Sequence, residues 1–248
     1  MKLALGAHAK LNLELSVLGS TGDGQHLVRT VLQAVSLHDL IWAEPAARTE
    51  LVGGTTDDLV LRAAAALEQR SQRNLPTLFG LEKRIPVGAG LGGGSSDAAA
   101  ALRLMAQIHG LDLALEPVAA GLGADVPFFL SGGRQLGLDR GQILSPLGFE
   151  PGWYLLAWPG FGLSTAEVYA AWDEVGGEGT NHLLRAALTV EPRLLEFARE
   201  LGAHWSMSGS GSAFYRAFKT PEEAEGERLR VERLAPWSGL YRGLGAWA

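Results

Sequence analysis

The chain has 248 residues and a formal net charge of −6, a size that suits one large domain or two small ones. It contains no cysteine, which excludes disulfides, thiol catalysis and cysteine-bound zinc, and none of its six histidines forms an H-E-x-x-H motif. Lysine and arginine do not cluster, so we expect no nucleic-acid partner.

The first ten residues resemble a signal peptide only superficially. Their apolar run is too short, and His8 and Lys10 interrupt it. No stretch of the sequence reaches 18 apolar residues, so we also expect no membrane span. The sequence therefore predicts a cytoplasmic protein, and it gives no indication of the oligomeric state.

Residues 11–17 alternate between apolar and polar types, which predicts a half-buried strand with its leucines and valine facing inward. Lys10 and Asn12 lie in register on the polar face, so their side chains can project toward the same space. Two interpretations of this pair stay open, solvated surface residues or part of a site. A turn over residues 19–24 and strands over 27–37 and 40–44 follow.

Residues 57–73 have the pattern of a helix that begins at Asp57 and Asp58 and buries leucines and alanines on one side. Residues 78–85 predict a strand that carries Lys83. This strand leads directly into a glycine-rich loop.

Five of the seven residues from 88 to 94 are glycine. Strands and helices do not favour so many glycines, because each one costs roughly 0.5–1 kcal/mol relative to alanine. Ser95, Ser96 and Asp97 are N-cap types, and the alanine-rich segment after them predicts a helix that ends at Gly110. A bare glycine loop before a helix N-terminus presents free N–H groups and a partial positive charge, so we predict a phosphate-binding site.

Two other kinds of phosphate loop fit this segment less well. A Walker A loop needs a lysine after its last glycine, whereas Ser95 follows the last glycine here. A dinucleotide fingerprint can be drawn through Gly88, Gly90 and Gly93, but about 20 positions further on only Asp112 offers a weak acidic candidate. The spacing therefore argues against nicotinamide or flavin binding.

A second loop covers residues 121–129, after a short helix that Pro117 is expected to open. Pro127 disfavours helical backbone at Val126, so we expect Asp125 at a corner between a helix and a strand. An aspartate at such a corner is commonly a cap. The small and aromatic residues around it make a buried, functional carboxylate the alternative.

A second unit begins near residue 151. Residues 153–158 predict a strand, and a helix follows with Ser164 or Thr165 as its cap. Tyr169 lies on that helix.

Two further helices are predicted in the second unit. The first covers residues 191–201, with Leu195 among its buried side chains, and the second covers residues 222–233 as a charged, solvated face. Between them, residues 207–212 form another glycine–serine turn.

Three of these segments together resemble the motifs of the GHMP kinase superfamily. Residues 9–13 (Ala-Lys-Leu-Asn-Leu) are similar to its N-terminal motif, residues 86–96 to its ATP loop, and residues 207–212 to its third, glycine-rich motif. More narrowly, the chain resembles the 4-diphosphocytidyl-2-C-methyl-D-erythritol kinases of the non-mevalonate isoprenoid pathway. The segments that carry this narrower resemblance are residues 9–13, 23–26, 81–86, 92–99 and 123–129.

The resemblance implies an α+β protein with the two-domain GHMP kinase fold. Residues 1–150 would form the N-terminal ATP-binding domain and residues 151–248 the C-terminal α/β substrate domain, with a cleft between them. ATP would be the phosphoryl donor. The partner would be a small-molecule substrate, a cytidine diphosphate-linked methylerythritol.

The same resemblance assigns roles to individual residues. It places the acid–base pair on Lys10 and Asp125. It places substrate contacts on five residues, which are Asn12, His26, Tyr169, Ser208 and Gly209. Contacts with the nucleotide fall on Lys83, Pro86, Val87, Gly88, Ala89, Gly90, Leu91, Gly92, Gly93, Gly94, Ser95 and Ser96.

Phosphoryl transfer depends mainly on positioning and charge neutralisation. We expect Mg²⁺ to bridge the β- and γ-phosphates with help from Ser95 or Ser96, and the sequence does not identify the metal ligands further. A cation beside a carboxylate makes that carboxylate a weaker base, so we expect Lys10 to weaken Asp125 as a base. We therefore expect Lys10 to stabilise the transferring charge, while Asp125 orients the accepting hydroxyl and takes its proton late.

Two positions depart from the family pattern. Gln25 stands where the family commonly has a tyrosine that stacks on cytosine, so we expect the base to be held by one ring, Tyr169, and by hydrogen bonds. Asp58 stands where asparagine is frequent near the adenosine, and its role stays open.

Two alternative functions remain from different classes. The chain could be another GHMP kinase that acts on homoserine or a mevalonate derivative, although residues 123–129 argue against this. It could also be a nucleotide-binding regulator without turnover, although the presence of both Lys10 and Asp125 argues against that.

Overall fold

Two long antiparallel strands form the centre of the N-terminal half. A computed structural model describes residues 1–22, 24–53 and 58–247. Strand β1 (Leu3–Ser20) pairs with β2 (His26–Pro45) along almost their whole lengths, with register shifts after His8, Asn12 and Val17. The prediction of two separate strands over 27–37 and 40–44 is therefore wrong, because the bulges let one strand bend around the core without ending.

A six-stranded sheet is built around this pair. It also contains β3 (Glu50–Val52), β4 (Thr77–Glu82), β5 (Arg134–Leu138) and β6 (Ile143–Pro146), in the order β3-β4-β2-β5-β6 with β1 on β2. Strand β4 is shorter than predicted, so Lys83 lies just beyond its end.

Two helices provide most of the layer against this sheet. Helix α1 (Leu59–Ser71) has Asp58 as its N-cap, whose side chain accepts a hydrogen bond from Val60 N. Asp57, predicted as part of the same helix start, lies outside the described residues. Helix α2 (Gly93–Ile108) is followed by Gly110 at φ +61°, which confirms the predicted helix end.

The start of α2 differs from the prediction. Its N-cap is Gly92 at φ +73°, with no side-chain cap, so Ser95, Ser96 and Asp97 lie inside the first turns and are not caps. Ser96 and Asp97 are buried there. Because no side chain caps the helix, its first N–H groups remain available to a ligand.

The corner at Asp125 also differs. Helix α3 (Glu116–Leu122) begins at the predicted proline, but Pro127 leads into a second short helix, α4 (Phe128–Ser131). Pro127 has φ −58° and ψ −36°, which suits a helix N-terminus. Asp125 therefore lies in a turn between two helices, and the predicted strand begins only at Arg134.

The C-terminal half contains a four-stranded sheet, in the order β10-β7-β9-β8. Its strands are β7 (Trp153–Trp158), β8 (Ser206–Met207), β9 (Phe214–Phe218) and β10 (Trp237–Arg242). The division of the chain at residue 150 remains a prediction.

Four helices accompany this second sheet. They are α5 (Thr165–Val175), capped by Ser164, then α6 (Leu184–Val190), α7 (Arg193–Leu201) and α8 (Pro221–Val231). Helix α6 was not predicted from the sequence. The sequence analysis also placed Leu195 in the core, whereas α7 buries Leu194, Phe197 and Leu201 on one face and leaves Leu195 exposed.

The two halves interlock. Leu15 of β1 exchanges backbone hydrogen bonds with the segment before α6, from Leu15 N to Thr180 O (2.9 Å) and from His182 N to Leu15 O (2.8 Å). After β10 the chain returns to the first half, where Trp247 N donates to Ser131 O at 2.9 Å. No helix in the described part of the chain is long and apolar enough to cross a membrane.

Candidate active site

A cleft of about 820 Å³ brings together most of the residues that the sequence analysis singled out. Its wall contains Lys10, Asn12, Lys83, residues 86–95, Asp125, Tyr169 and Gly209. The predicted residues Ser96, Ser208 and His26 are not part of the wall. The first two are almost fully buried.

The glycine loop is held in its shape by the second half of the chain. Gly88, Gly90 and Gly92 have φ values of +67°, +72° and +73°, which side chains other than glycine rarely adopt. A Cβ at Gly90 would lie 2.1 Å from Ser208 O, so the loop also needs glycine for space.

The loop's carbonyl groups face the protein. Leu163 N donates to Gly88 O (2.9 Å), Ala213 N to Ala89 O (3.1 Å) and Lys10 N to Leu91 O (2.9 Å). Within the described ranges, the amide groups of residues 87–92 donate to no protein acceptor. The loop therefore keeps its N–H groups for a ligand in the cleft, at the uncapped start of α2.

Lys10 is buried beneath this loop, with 3% of its surface exposed. Its ammonium group donates to Gly90 O at 2.7 Å and to Asn12 Oδ1, and Asn12 Nδ2 donates to Thr30 Oγ1 at 2.7 Å. Burial lowers the pKa of Lys10, and the nearby negative charge of Asp125 partly opposes this shift. The interpretation of Lys10 and Asn12 as solvated surface residues is therefore wrong.

The third glycine-rich segment positions Lys10. Ser208 Oγ donates to Gly90 O at 2.9 Å and accepts from Asn12 N at 3.3 Å. A Cβ at Gly209 would lie 3.0 Å from Lys10 Nζ. Ser208 and Gly209 were predicted as substrate contacts, and the structure gives Ser208 a supporting position behind the wall.

Asn181 is a supporting residue that the sequence analysis missed. It is buried, and its Nδ2 donates to Met207 O (2.8 Å) and to Gly209 O (2.9 Å). It thereby ties the third glycine-rich segment to the loop before α6. No sequence signal marks a single asparagine in this way.

Lys83 lies between two carboxylates. Its ammonium group donates to Asp97 Oδ2 at 2.6 Å and to Asp39 Oδ2, while Asp39 Oδ1 accepts from Ile85 N at 2.8 Å. Burial alone would lower the pKa of Lys83, but the two carboxylates raise it above its ordinary value. Burial raises the pKa of Asp97 to about 7, although Lys83 counteracts this and Asp39 adds to it.

This trio joins three elements at the glycine-loop end of the cleft. Asp39 comes from β2, Lys83 from the end of β4 and Asp97 from α2. Sequence reasoning found Lys83 but missed its two partners, because Asp39 carries no local signal and Asp97 has the pattern of a cap. Asp58, whose role the sequence left open, is the N-cap of α1 and also lies on the cleft wall.

The opposite end of the cleft is aromatic. The rings of His26 and Tyr169 lie 4.6 Å apart between centroids with an interplanar angle of 31°, and Trp172 meets His26 edge-on at 5.7 Å. His26 Nε2 lies 2.8 Å from Asp173 Oδ1. Burial, with the charge of Asp125 as a second cause, raises the pKa of Tyr169 to about 12, so its hydroxyl stays protonated.

Arg140 is a further wall residue that the sequence analysis did not find. It lies in the turn between β5 and β6, and its Nη1 donates to Gln25 Oε1 at 2.6 Å. Gln25, which was noted for its lack of a ring, is therefore one half of a hydrogen-bonded pair.

No group of three or more histidine, aspartate or glutamate side chains that could hold a metal ion occurs among residues 1–22, 24–53 and 58–247. Ser95 lies on the cleft wall at the start of α2.

Comparisons with known proteins agree with this geometry. Residues 58–133 match the family described as GHMP kinases N terminal domain. The 4-diphosphocytidyl-2-C-methyl-D-erythritol kinase of Chromobacterium violaceum is 36% identical over 249 residues, which cover 88% of this chain and 87% of that protein.

Solved structures give the same result for the fold. A crystal structure of 4-(cytidine 5'-diphospho)-2C-methyl-D-erythritol kinase has a TM-score of 0.82 and 33% identity, covering 98% of this chain and all of that one. A homoserine kinase from Cytophaga hutchinsonii has a TM-score of 0.62 at 17% identity, covering 99% of this chain and 95% of that one. The second likeness concerns the fold alone, and the predicted GHMP kinase fold is confirmed.

Proposed function

Because this chain belongs to the 4-diphosphocytidyl-2-C-methyl-D-erythritol kinase family, we propose that it transfers the γ-phosphoryl group of ATP to the 2-hydroxyl group of 4-diphosphocytidyl-2-C-methyl-D-erythritol. This reaction belongs to the non-mevalonate isoprenoid pathway. The observation that supports it most directly is the position of Lys10, buried under the glycine loop in the same cleft as Asp125.

The glycine loop is the proposed site of the ATP phosphates. Its unengaged amide groups and the uncapped N-terminus of α2 offer several donors and a partial positive charge in one place. Ser95, on the cleft wall, would help to hold Mg²⁺, which would supply positive charge to neutralise the phosphates. Lys83 lies at the same end, where its ammonium group is already paired with Asp39 and Asp97.

Asp125 is the proposed base. In the transfer, a lone pair of the substrate hydroxyl forms the new O–P bond while the bond from the γ-phosphorus to the bridging oxygen of ADP breaks. The hydroxyl proton passes to the Asp125 carboxylate as the new bond forms. Lys10 stabilises the negative charge on the transferring group, and its hydrogen bonds to Gly90 O and Asn12 Oδ1 hold it in place for this.

The aromatic end of the cleft is the proposed site of the cytidine. Tyr169 lies on the wall and offers a ring face to a base, and His26 supports this ring from behind. The charge of Asp125 acts on Tyr169 at this end and on Lys10 beneath the glycine loop, so the substrate hydroxyl would be presented near this carboxylate.

An ATP-dependent phosphorylation assay tests the proposal. The cytidine-linked substrate should be phosphorylated, and the same molecule without its cytidine should react far more slowly. A panel containing homoserine and mevalonate serves as the control for other members of the superfamily. Turnover of homoserine or mevalonate at a comparable rate, or ATP binding without ADP release for every acceptor, would contradict the proposed function.

A further inference from the structure

We propose that the guanidinium group of Arg140, held by Gln25, covers one face of the pyrimidine base of the substrate and sets the specificity for a cytidine-linked acceptor. This inference rests on the proposed function, because it concerns how the same cleft binds its acceptor. Arg140 would be a substrate-binding residue and Gln25 a positioning residue.

The aromatic end of the cleft cannot enclose a base by itself. The rings of His26 and Tyr169 are already in contact at 4.6 Å, so no third ring fits between them. Trp172 packs edge-on against His26. A base can therefore stack only on an outward ring face on this side, and a group that covers its second face must come from another element.

The turn that carries Arg140 to this end of the cleft is held by hydrogen bonds. Asp139 has φ +63°, and its carbonyl group accepts from Val28 N, two residues after His26. Gln142 Oε1 accepts from Arg140 N at 2.9 Å, and Gln142 Nε2 donates to Asp139 Oδ2. The turn is thus tied to the start of β2, beside the aromatic residues.

The side chain of Arg140 is also held in place. Its Nη1 donates to Gln25 Oε1 at 2.6 Å, and Gln25 immediately precedes His26. Arg140 lies on the cleft wall together with Tyr169. One hydrogen bond uses one of the five guanidinium N–H groups and leaves the flat face of the group for a ligand.

The chemistry of the guanidinium group suits this role. It is planar, always charged and weakly hydrated, so it stacks on nucleobases as aromatic rings do. A lysine in the same place would supply the charge without the plane. The positive charge of Arg140 would equally attract the diphosphate of the acceptor, and a comparison of cytidine with CDP separates base contact from phosphate contact.

Binding of cytidine and of CDP, measured by isothermal titration calorimetry, tests the inference. Arg140→Ala should weaken binding of cytidine, which has no phosphate, by about 5- to 150-fold, the range expected for loss of stacking on one base. Arg140→Lys should show a similar loss. Arg199→Ala, which removes an exposed arginine of α7 outside the cleft, is the matched control and should leave binding unchanged.

Gln25→Ala should cause a smaller loss, and it should have no effect when Arg140 is already alanine, because Gln25 acts only through the guanidinium group. In the phosphorylation assay, Arg140→Ala should raise KM for the acceptor while kcat and KM for ATP stay near their original values. Unchanged thermal unfolding of each variant confirms that the fold is retained.

Several outcomes would overturn the inference. If Arg140→Ala weakens CDP but not cytidine, or if Arg140→Lys binds cytidine like the original protein, Arg140 contacts the phosphates instead. Absence of cytidine binding by the original protein would also overturn it. If the original protein is active and Arg140→Ala binds cytidine with unchanged affinity, this inference alone is refuted. If the original protein binds cytidine but does not phosphorylate the cytidine-linked acceptor, the proposed function alone is refuted.

Discussion

At the scale of single residues, Lys10 illustrates how a charge is kept in an unfavourable place. Burial disfavours its charged form, as the lowered pKa shows, yet Gly90 O and Asn12 Oδ1 accept its hydrogen bonds and Asp125 supplies a nearby negative charge. A buried ammonium group surrounded in this way is held rigidly. This rigidity is what stabilisation of a transferring phosphoryl group requires.

We expect Lys10→Met to lower kcat about 100-fold or more while KM for ATP changes much less, because the proposed role of the lysine is to stabilise charge that develops in the transition state. Asp125→Asn should lower kcat about 100- to 10,000-fold through loss of the base. Steady-state kinetics measure both effects. Lys2→Met and Asp112→Asn, at exposed positions, are matched controls. Near-normal turnover of folded Asp125→Asn would refute the base assignment, and equal losses of turnover and ATP affinity in Lys10→Met would place the lysine in ground-state binding.

Gly90 is a residue whose missing side chain matters. Gly90→Ala forces an alanine to φ +72° and directs its Cβ at Ser208 O, so we expect a loss of about 2 kcal/mol or more in the free energy of unfolding. ATP affinity should fall as well, because the loop must shift. Denaturant unfolding and ATP titration measure these changes. Gly121→Ala in α3, where a Cβ meets nothing within 4 Å, should not destabilise the protein.

At the scale of elements, the Asp39–Lys83–Asp97 trio connects β2, the end of β4 and α2. Lys83→Met would leave two carboxylates buried without their cation, and we expect about 3 kcal/mol of destabilisation. The double change Lys83→Met with Asp97→Asn should recover part of this loss, because it removes one of the two buried charges. Urea unfolding measures both, with exposed Lys219→Met as the control. Equal stability of Lys83→Met and the original protein would show that the trio contributes nothing.

At the scale of the whole molecule, the C-terminal segment fastens the second half of the chain to the first. The ring of Trp247 packs directly on Gly132, where an added Cβ would lie only 2.1 Å from the ring. The centroid of the same ring lies 5.4 Å from that of His8 in β1. His8 also lies 5.1 Å from His38 in β2. The stability of this junction should depend on the charge of His8.

Burial, the neighbouring His38 and, to a lesser degree, Arg242 lower the pKa of His8 from 6.5 to about 4, with a backbone hydrogen bond to Val35 opposing them. The unfolded chain takes up a proton at His8 as the pH falls below 6.5, while the folded chain does so only near pH 4. The contribution of His8 to the free energy of unfolding is therefore complete above pH 6.5. About 3 kcal/mol of it is lost as the pH falls from 6.5 to about 4.

His8→Phe should flatten the fall in the free energy of unfolding between pH 6.5 and pH 4, because phenylalanine keeps a ring at this position without a titratable group. Urea unfolding across this pH range measures it. His204→Phe, at an exposed position, should leave the slope unchanged. The same slope in His8→Phe as in the original protein would contradict the role of His8.

Some features were predictable because a few neighbouring residues determine them. The glycine-rich loop needs positive φ angles, and only glycine supplies them readily, so its composition alone indicated a close backbone approach. The helix end at Gly110 and the cap at Ser164 likewise follow from local backbone requirements. The order of three short motifs along the chain then identified the family.

Other features depend on which distant segments pack together, and local sequence does not encode this. Four residues show this, because each contacts a partner more than 40 residues away or in another element, and none has a local sequence signal. They are Asp39, Asn181, Arg140 and Trp247. The Asp125 corner was misjudged for the same reason, since packing of α4 decided the path after Pro127. The sequence by itself indicated the glycine-rich loop and the charged residues proposed to act beside it, because backbone geometry and charge are local properties. Only the tertiary structure decided how those residues are buried, paired and positioned, because burial and pairing arise when the two halves of the chain meet.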